Sequence, residues 1–327
     1  MKVTFLTNGY DRGWHPDDLD MFLGGNEQCL VLLCRELRRR GHQPEVYTTL
    51  RAPTVAVEDF GTIYRHREDF DRSARYECLV SYKTQDPWWW RCAADLRLHC
   101  SADVEPPWPA AYLAQLDGFT YMSSYHRLMV PWVPKELWRY VPLALPVEFS
   151  VKRKPVDRVP NLMLYATSPD RGLVTLLADW NEICARYAGA RLLVTYDLSR
   201  VRVSPQTAQL LQQPGVSVTL FKAAQMPEVY GRASYLVHPL NRVQSDLYGY
   251  GALQAQTCGC LPVLPFDTLD GTGFQDSVPR WVAYRDFLAG NTSPRDNAKV
   301  LDLPKTWSQC VEQYWLPLLG KEVARAS

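Results

Sequence analysis

The sequence lacks the marks of several protein classes. Its nine cysteines contain no CxxC pair and no Cys/His cluster at zinc-finger spacing, which argues against a zinc site or a disulfide framework and predicts reduced thiols in a cytoplasmic protein. No stretch approaches 18 consecutive apolar residues, and the start MKVTFLT enters an apolar strand without a basic leader. A transmembrane span and a signal peptide are therefore not expected. An excess of one charge is lacking too: 36 Lys plus Arg meet 35 Asp plus Glu, so no overall field draws the chain to nucleic acid or to an anionic membrane. The GxGxxG fingerprint is missing, which argues against a nicotinamide enzyme, and no internal repeat stands out.

What is present is a large globular core. The chain has 327 residues, 46% hydrophobic and 22% charged, with 11 Trp, 18 Tyr and 10 Phe, a length that favours two domains of similar size. Residues 2–7 read as a buried strand. A helix follows with Leu30, Leu33, Cys34 and Leu37 on one face, and it ends in basic residues and Gly41 before a strand at 45–48, as the helix dipole and a left-handed cap favour. Further strands are predicted at 77–82, 96–100 and 118–122. The Pro- and Lys/Arg-rich stretch 142–160 reads as an inter-domain linker. Beyond it, strands at 161–166, 191–196, 216–221, 235–239 and 261–265 alternate with helices at 173–187, 226–233 and 251–257, and a last helix covers 307–319. The pattern is α/β and doubly wound in both halves, with ligand binding expected in the cleft between them.

Three segments are candidates for chemistry. Gly24 and Gly25 precede the first long helix; they either serve a tight turn or let an anion approach the helix amides. Ser168-Pro169-Asp170-Arg171-Gly172 joins a strand to a helix. A cation there opposes the helix dipole unless an anionic ligand is also bound, the alternative being an arginine merely solvated on a loop. In the third segment Asp246 lies in a glycine-containing turn with Tyr248, Gly249 and Tyr250, and Gln254 follows eight positions after Asp246. That spacing lets both polar side chains face one pocket, and it equally suits a plain turn and helix.

In this order, and with Cys258-Gly259-Cys260-Leu261-Pro262-Val263 after the third segment, the motifs resemble the retaining GT-B glycosyltransferases, most nearly glycosyltransferase family 4, over residues 2 to about 265. The resemblance implies two Rossmann-like domains: residues 1–150 for the acceptor, residues 151–305 for a nucleoside-diphosphate sugar, and residues 306–327 as a helix crossing back to the first domain. The family's Glu-x7-Glu falls on Asp246 and Gln254, implying that Asp246 and the Tyr248-Gly249-Tyr250 amides bind sugar hydroxyls and Gln254 the ribose. A diphosphate clamp is implied for Arg171 with Ser168, Gly24 and Gly25; the family's second cation falls on Tyr165, so Lys222 either replaces it or is an exposed lysine without a role. His99 matches the His of a His-Asp pair near the sugar, with Cys100 in place of the Asp; His126 is a weaker candidate. Catalysis is thus expected from His99, Asp246 and Arg171, by front-side attack with retention, without metal or cofactor.

The first domain adds Trp88, Trp89 and Trp90 in a row and then Trp108. Three consecutive residues cannot all face one core, so Trp88, Trp89 and Trp108 are candidates to stack on an acceptor, the alternative being a wall between domains. A glycan or glycolipid acceptor is expected. Two rivals are a phage-type DNA glycosyltransferase acting on hydroxymethylated pyrimidines and an inactive GT-B scaffold that binds sugar nucleotides. Residues 1–150 carry 17 Lys plus Arg against 20 Asp plus Glu, and residues 151–327 carry 19 against 15, so the basic half is the one implied to hold a diphosphate.

Overall fold

The structure is a computed structural model, described over residues 1–7, 13–20, 23–51, 56–84, 91–150, 157–198, 203–239 and 246–320. The chain divides into two compact units, Met1–Pro146 with Leu303–Ser327, and Val147–Asp302.

In the first unit β1 (Lys2–Thr7), β2 (Gln43–Thr48), β3 (Val57–Asp59), β4 (Thr62–His66), β5 (Arg75–Tyr82), β6 (Ala93–Cys100), β7 (Gly118–Tyr121) and β8 (Trp138–Tyr140) form one sheet in the order β3-β4-β2-β1-β5-β6-β7-β8. Every pairing is parallel except β3 with β4. Central β1 is buried from Val3 to Thr7 because parallel sheets are covered on both faces; Phe5 lies between Val46 and Val80 and is fully buried. The helix Gly25–Arg39 buries Leu30, Leu33, Cys34 and Leu37, as its periodicity predicts. Arg40, just past its end, reaches Ser308 and Glu312, which ties the chain's last helical stretch to the first helix. That stretch runs from Trp307 to Leu319 and contains a π-helical turn, Val311–Trp315, whose Trp315 packs on Phe5.

The second unit pairs β9 (Leu162–Tyr165), β10 (Arg191–Val194), β11 (Val216–Val218), β12 (Tyr235–Val237), β13 (Leu261–Leu264), β14 (Arg280–Ala283) and β15 (Arg295–Asp296) in the order β11-β10-β9-β12-β13-β14-β15. Only β14 with β15 is antiparallel. Its core contains Met163, Tyr165, Leu176, Trp180, Ile183, Leu192, Val263 and Phe287. From β9 the chain winds one way to β10 and β11 and the other way to β12 and β13. The strand order therefore reverses between β9 and β12, and in open α/β sheets ligands bind beyond the carboxyl ends of strands at such a reversal.

The sequence reading is corrected in several places. The helix expected over 173–187 is divided into Leu173–Ala178 and Trp180–Arg186 at Asp179, whose carboxylate accepts a hydrogen bond from the Tyr284 hydroxyl at 2.8 Å. The β3–β4 hairpin went unpredicted because its turn places Phe60, a bulky residue, at φ 49° before Gly61 at φ 79°; such a turn ordinarily announces itself through Asn, Asp or Gly at the position that Phe60 holds. Strands β8, β14 and β15 and the short helices Ala110–Leu113, Ser124–Met129, Pro205–Leu210 and Tyr284–Leu288 were also unpredicted. Among the described residues no helix is long and apolar enough to cross a membrane.

Candidate functional site

At the carboxyl end of β9 the Tyr165 ring is fully buried and its hydroxyl donates to the Ser168 carbonyl at 2.6 Å. The residue at the family's arginine position thus serves the core and fixes the turn. Pro169–Arg171 then forms a single 3-10 turn, with the Arg171 N–H donating to Ser168 at 2.9 Å, so Arg171 stands just before the helix Leu173–Ala178. Gly172 makes this geometry possible. It lies at φ 97°, and a Cβ there would come within 1.3 Å of the Pro239 carbonyl oxygen. Glycine is needed both for the left-handed backbone and for the close approach of the turn after β9 to the end of β12. Gly172→Ala is expected to cost about 3 kcal/mol or more of folding stability; denaturant unfolding checks it, and a variant as stable as the wild type would contradict the packing.

That approach brings Arg171 and His238, the latter just beyond β12, onto Asp246. One carboxylate oxygen of Asp246 accepts the amides of Tyr248 and Gly249 at 3.1 and 2.7 Å. Its Oδ2 lies 3.5 Å from Arg171 Nη1 and 3.9 Å from His238 Nε2. Gly249, at φ 70°, starts the helix Tyr250–Thr257, and the Phe274 ring fills the space a side chain would need. Asp246 therefore closes the turn with Oδ1 and turns Oδ2 toward a cation. The amides of Tyr248 and Gly249, expected to face a sugar, are taken up inside the turn, and the Tyr248 side chain is buried. One turn into the helix, the half-buried Gln254 accepts a hydrogen bond from the Tyr230 hydroxyl at 3.3 Å through Oε1, an arrangement that holds its side chain still. Ser168 is half-buried, with its backbone carbonyl in use. Lys222 is exposed and forms no ion pair with Asp246 or any other described residue.

In the first unit Gly24 caps the helix Gly25–Arg39 in extended conformation, φ −60°, and its carbonyl accepts the Gln28 N–H. The expectation for His99 is revised by its surroundings. The ring is fully buried, with Nδ1 2.8 Å from Ser81 Oγ and Nε2 2.8 Å from Glu105 Oε1. Glu105 Oε1 also accepts the Ser101 hydroxyl, which in turn meets His126 Nε2 at 3.0 Å. With both ring nitrogens engaged, His99 is a node in a buried polar network. Trp108 packs edge-on against His99 and Tyr112, each at 4.2 Å, and against Trp132. Much of its ring thus packs on the core of the first unit. Trp88 and Trp89 lie outside the described residues. Sequence reasoning missed Glu105 and His238: the carboxylate that Cys100 fails to supply comes from five residues further on, and a histidine ending an apolar strand carries no motif.

Burial holds the imidazoles of His126 and His238 down to about 4, against an ordinary 6.5; Glu105 and Asp246 offset part of this, while His99 and Arg171 add to it. Both rings are neutral in the fold and gain protons only on unfolding between these values. Stability is thus expected to fall as pH drops from about 6.5 toward 4. Denaturant midpoints across that range check the sign, and a flat or rising profile would contradict it.

No protein-family model and no curated protein matches the chain. Solved structures do. AviGT4, a glycosyltransferase involved in avilamycin A biosynthesis, matches with a TM-score of 0.58 at 12% identity over 96% of each chain. WaaG, a glycosyltransferase involved in lipopolysaccharide biosynthesis, matches with 0.53 at 14% identity over 98% of this chain and 91% of that one. HepE of Anabaena, solved in complex with UDP and glucose, matches with 0.55 at 13% identity over 81% and 80%. Likeness at these identities is one of architecture, and it establishes that the chain has the GT-B glycosyltransferase fold.

Proposed function

We propose that the chain is a retaining glycosyltransferase that moves a sugar from a nucleoside-diphosphate sugar to a hydroxyl of a glycan or glycolipid. The observation that carries this reading is the convergence of Arg171 and Asp246 at the strand-order reversal of the second unit, with Gln254 on the helix that follows the Asp246 turn. In this reading Arg171, a third exposed and more than hydrogen-bond distance from Asp246, turns to the diphosphate. Asp246 Oδ2 accepts a hydrogen bond from a hydroxyl of the transferred sugar. Gln254 meets the ribose, where its amide both accepts and donates.

The acceptor oxygen attacks the anomeric carbon on the face that the diphosphate leaves, and a diphosphate oxygen takes the acceptor proton. Negative charge grows on the leaving diphosphate, and Arg171 stabilises it. The slightly acidic balance of residues 1–150 suits a neutral glycan better than a polyanionic DNA backbone. The test is turnover of a sugar nucleotide with an alcohol acceptor, followed by release of nucleoside diphosphate and by NMR of the product. Release with an unchanged anomeric configuration is expected. Inversion would overturn the mechanism, and no release with any donor would overturn the activity.

A further inference from the structure

We propose that His238 is a positioning residue for Asp246: its Nε2–H donates to Asp246 Oδ2 when Arg171 turns away to the diphosphate, and so keeps the carboxylate aimed at the sugar. The inference rests on the donor-site reading above and adds a residue that neither the motifs nor the comparisons assign.

His238 is 3% exposed, and its Nε2 is a buried polar atom without a hydrogen-bond partner among the described residues. Such atoms are costly and rare in native folds, so each one calls for a reason. The nearest ion-pair partner of that nitrogen is Asp246 Oδ2 at 3.9 Å. A ring movement of about 1 Å closes this gap to hydrogen-bond length. A neutral imidazole carries one N–H, and a carboxylate oxygen opposite Nε2 favours the tautomer that places the proton there.

The ring is well placed for this task. Its backbone N–H is tied to the Val263 carbonyl of β13 at 3.0 Å, and the Phe274 ring packs edge-on to it. His238 is thereby fixed to the sheet, whereas Arg171 is long and partly solvated. Asp246 Oδ1 is already pinned by two amides, so only Oδ2 is left to be set. With the guanidinium on Oδ2 the imidazole is a spare donor; with the guanidinium on a diphosphate it becomes the donor that remains. Because Nε2 is buried, His238 acts through Asp246 and not by touching the ligand.

The test compares His238→Leu, which removes the donor, with His238→Gln, whose amide nitrogen reaches the same place. Calorimetric affinities are measured for UDP-glucose, GDP-mannose and ADP-glucose and for the matching diphosphates alone. The expected result for His238→Leu is a loss of about tenfold or more in affinity for the sugar nucleotide that the wild type binds, with the bare diphosphate little changed. His238→Gln is expected to recover most of the loss. If His238→Leu does not fold, His238→Asn, whose amide stops short of Asp246, takes its place with the same expectation. Equal losses for sugar nucleotide and diphosphate, no loss at all, or failure of glutamine to rescue would overturn the positioning role alone. Absence of binding to the wild type would overturn the donor-site reading and this inference with it.

Discussion

Replacing Arg171 by alanine is expected to lower sugar-nucleotide turnover roughly 100-fold or more while leaving the fold intact. Removing one group that stabilises charge developing in a transition state costs about 2.7 to 4 kcal/mol. Here no second cation offsets the loss, because the position that the resemblance gives to one holds Tyr165, a core residue, and among the described residues Lys222 forms no ion pair. The stability side of the prediction has its own reason. The Arg171–Asp246 pair is 3.5 Å apart with Arg171 a third exposed, and pairs of that kind contribute little once solvent screens them. Steady-state kinetics and thermal unfolding on one preparation check both halves. Unchanged turnover would remove Arg171 from the chemistry.

Asp246 is expected to separate two roles when it is changed in two ways. Asp246→Asn keeps a carbonyl oxygen for the Tyr248 and Gly249 amides, so the turn stays closed, but the negative charge toward Arg171 and the sugar is gone. Turnover falls by about 10- to 100-fold, the worth of a hydrogen bond to a charged group, while the unfolding free energy changes by less than about 1 kcal/mol. Asp246→Ala loses the same activity and also the two bonds that close the turn, which lowers stability by about 1 to 3 kcal/mol more. Equal stability in the two variants would mean that the Oδ1 contacts do not hold the turn. Full activity in Asp246→Asn would mean that the charge plays no part.

Most of the fold was legible because its signals are local. The apolar run of β1, the 3.6-residue period of the helix Gly25–Arg39 and the strand at 261–264 each follow from neighbouring residues alone. The unpredicted pieces depend on tertiary context. Phe60 holds a left-handed conformation in which the Arg35 guanidinium lies over its ring at 4.5 Å, and no composition rule forecasts that. The site divides in the same way. Arg171, Asp246 and Gln254 were visible as spacings along the chain. Their partners were not, because Gly172 meeting the Pro239 carbonyl and Tyr230 meeting Gln254 join segments far apart in sequence, and His238, though only eight positions before Asp246, belongs to no motif. The surroundings of His99 were hidden in the same way: its motif position is local, but Ser81 and Glu105, which occupy its two nitrogens, come from elsewhere.

The central claim is that the second unit binds a nucleoside-diphosphate sugar through Arg171 and Asp246. Thermal unfolding of the wild type and of Arg171→Ala against a panel of sugar nucleotides tests it most directly, since a ligand that binds only the native state raises the transition temperature in proportion to its occupancy. The account predicts stabilisation of the wild type by one class of sugar nucleotide and by its diphosphate, with both shifts sharply reduced in Arg171→Ala. A wild type unmoved by every member of the panel, or an Arg171→Ala variant stabilised as strongly as the wild type, would contradict it.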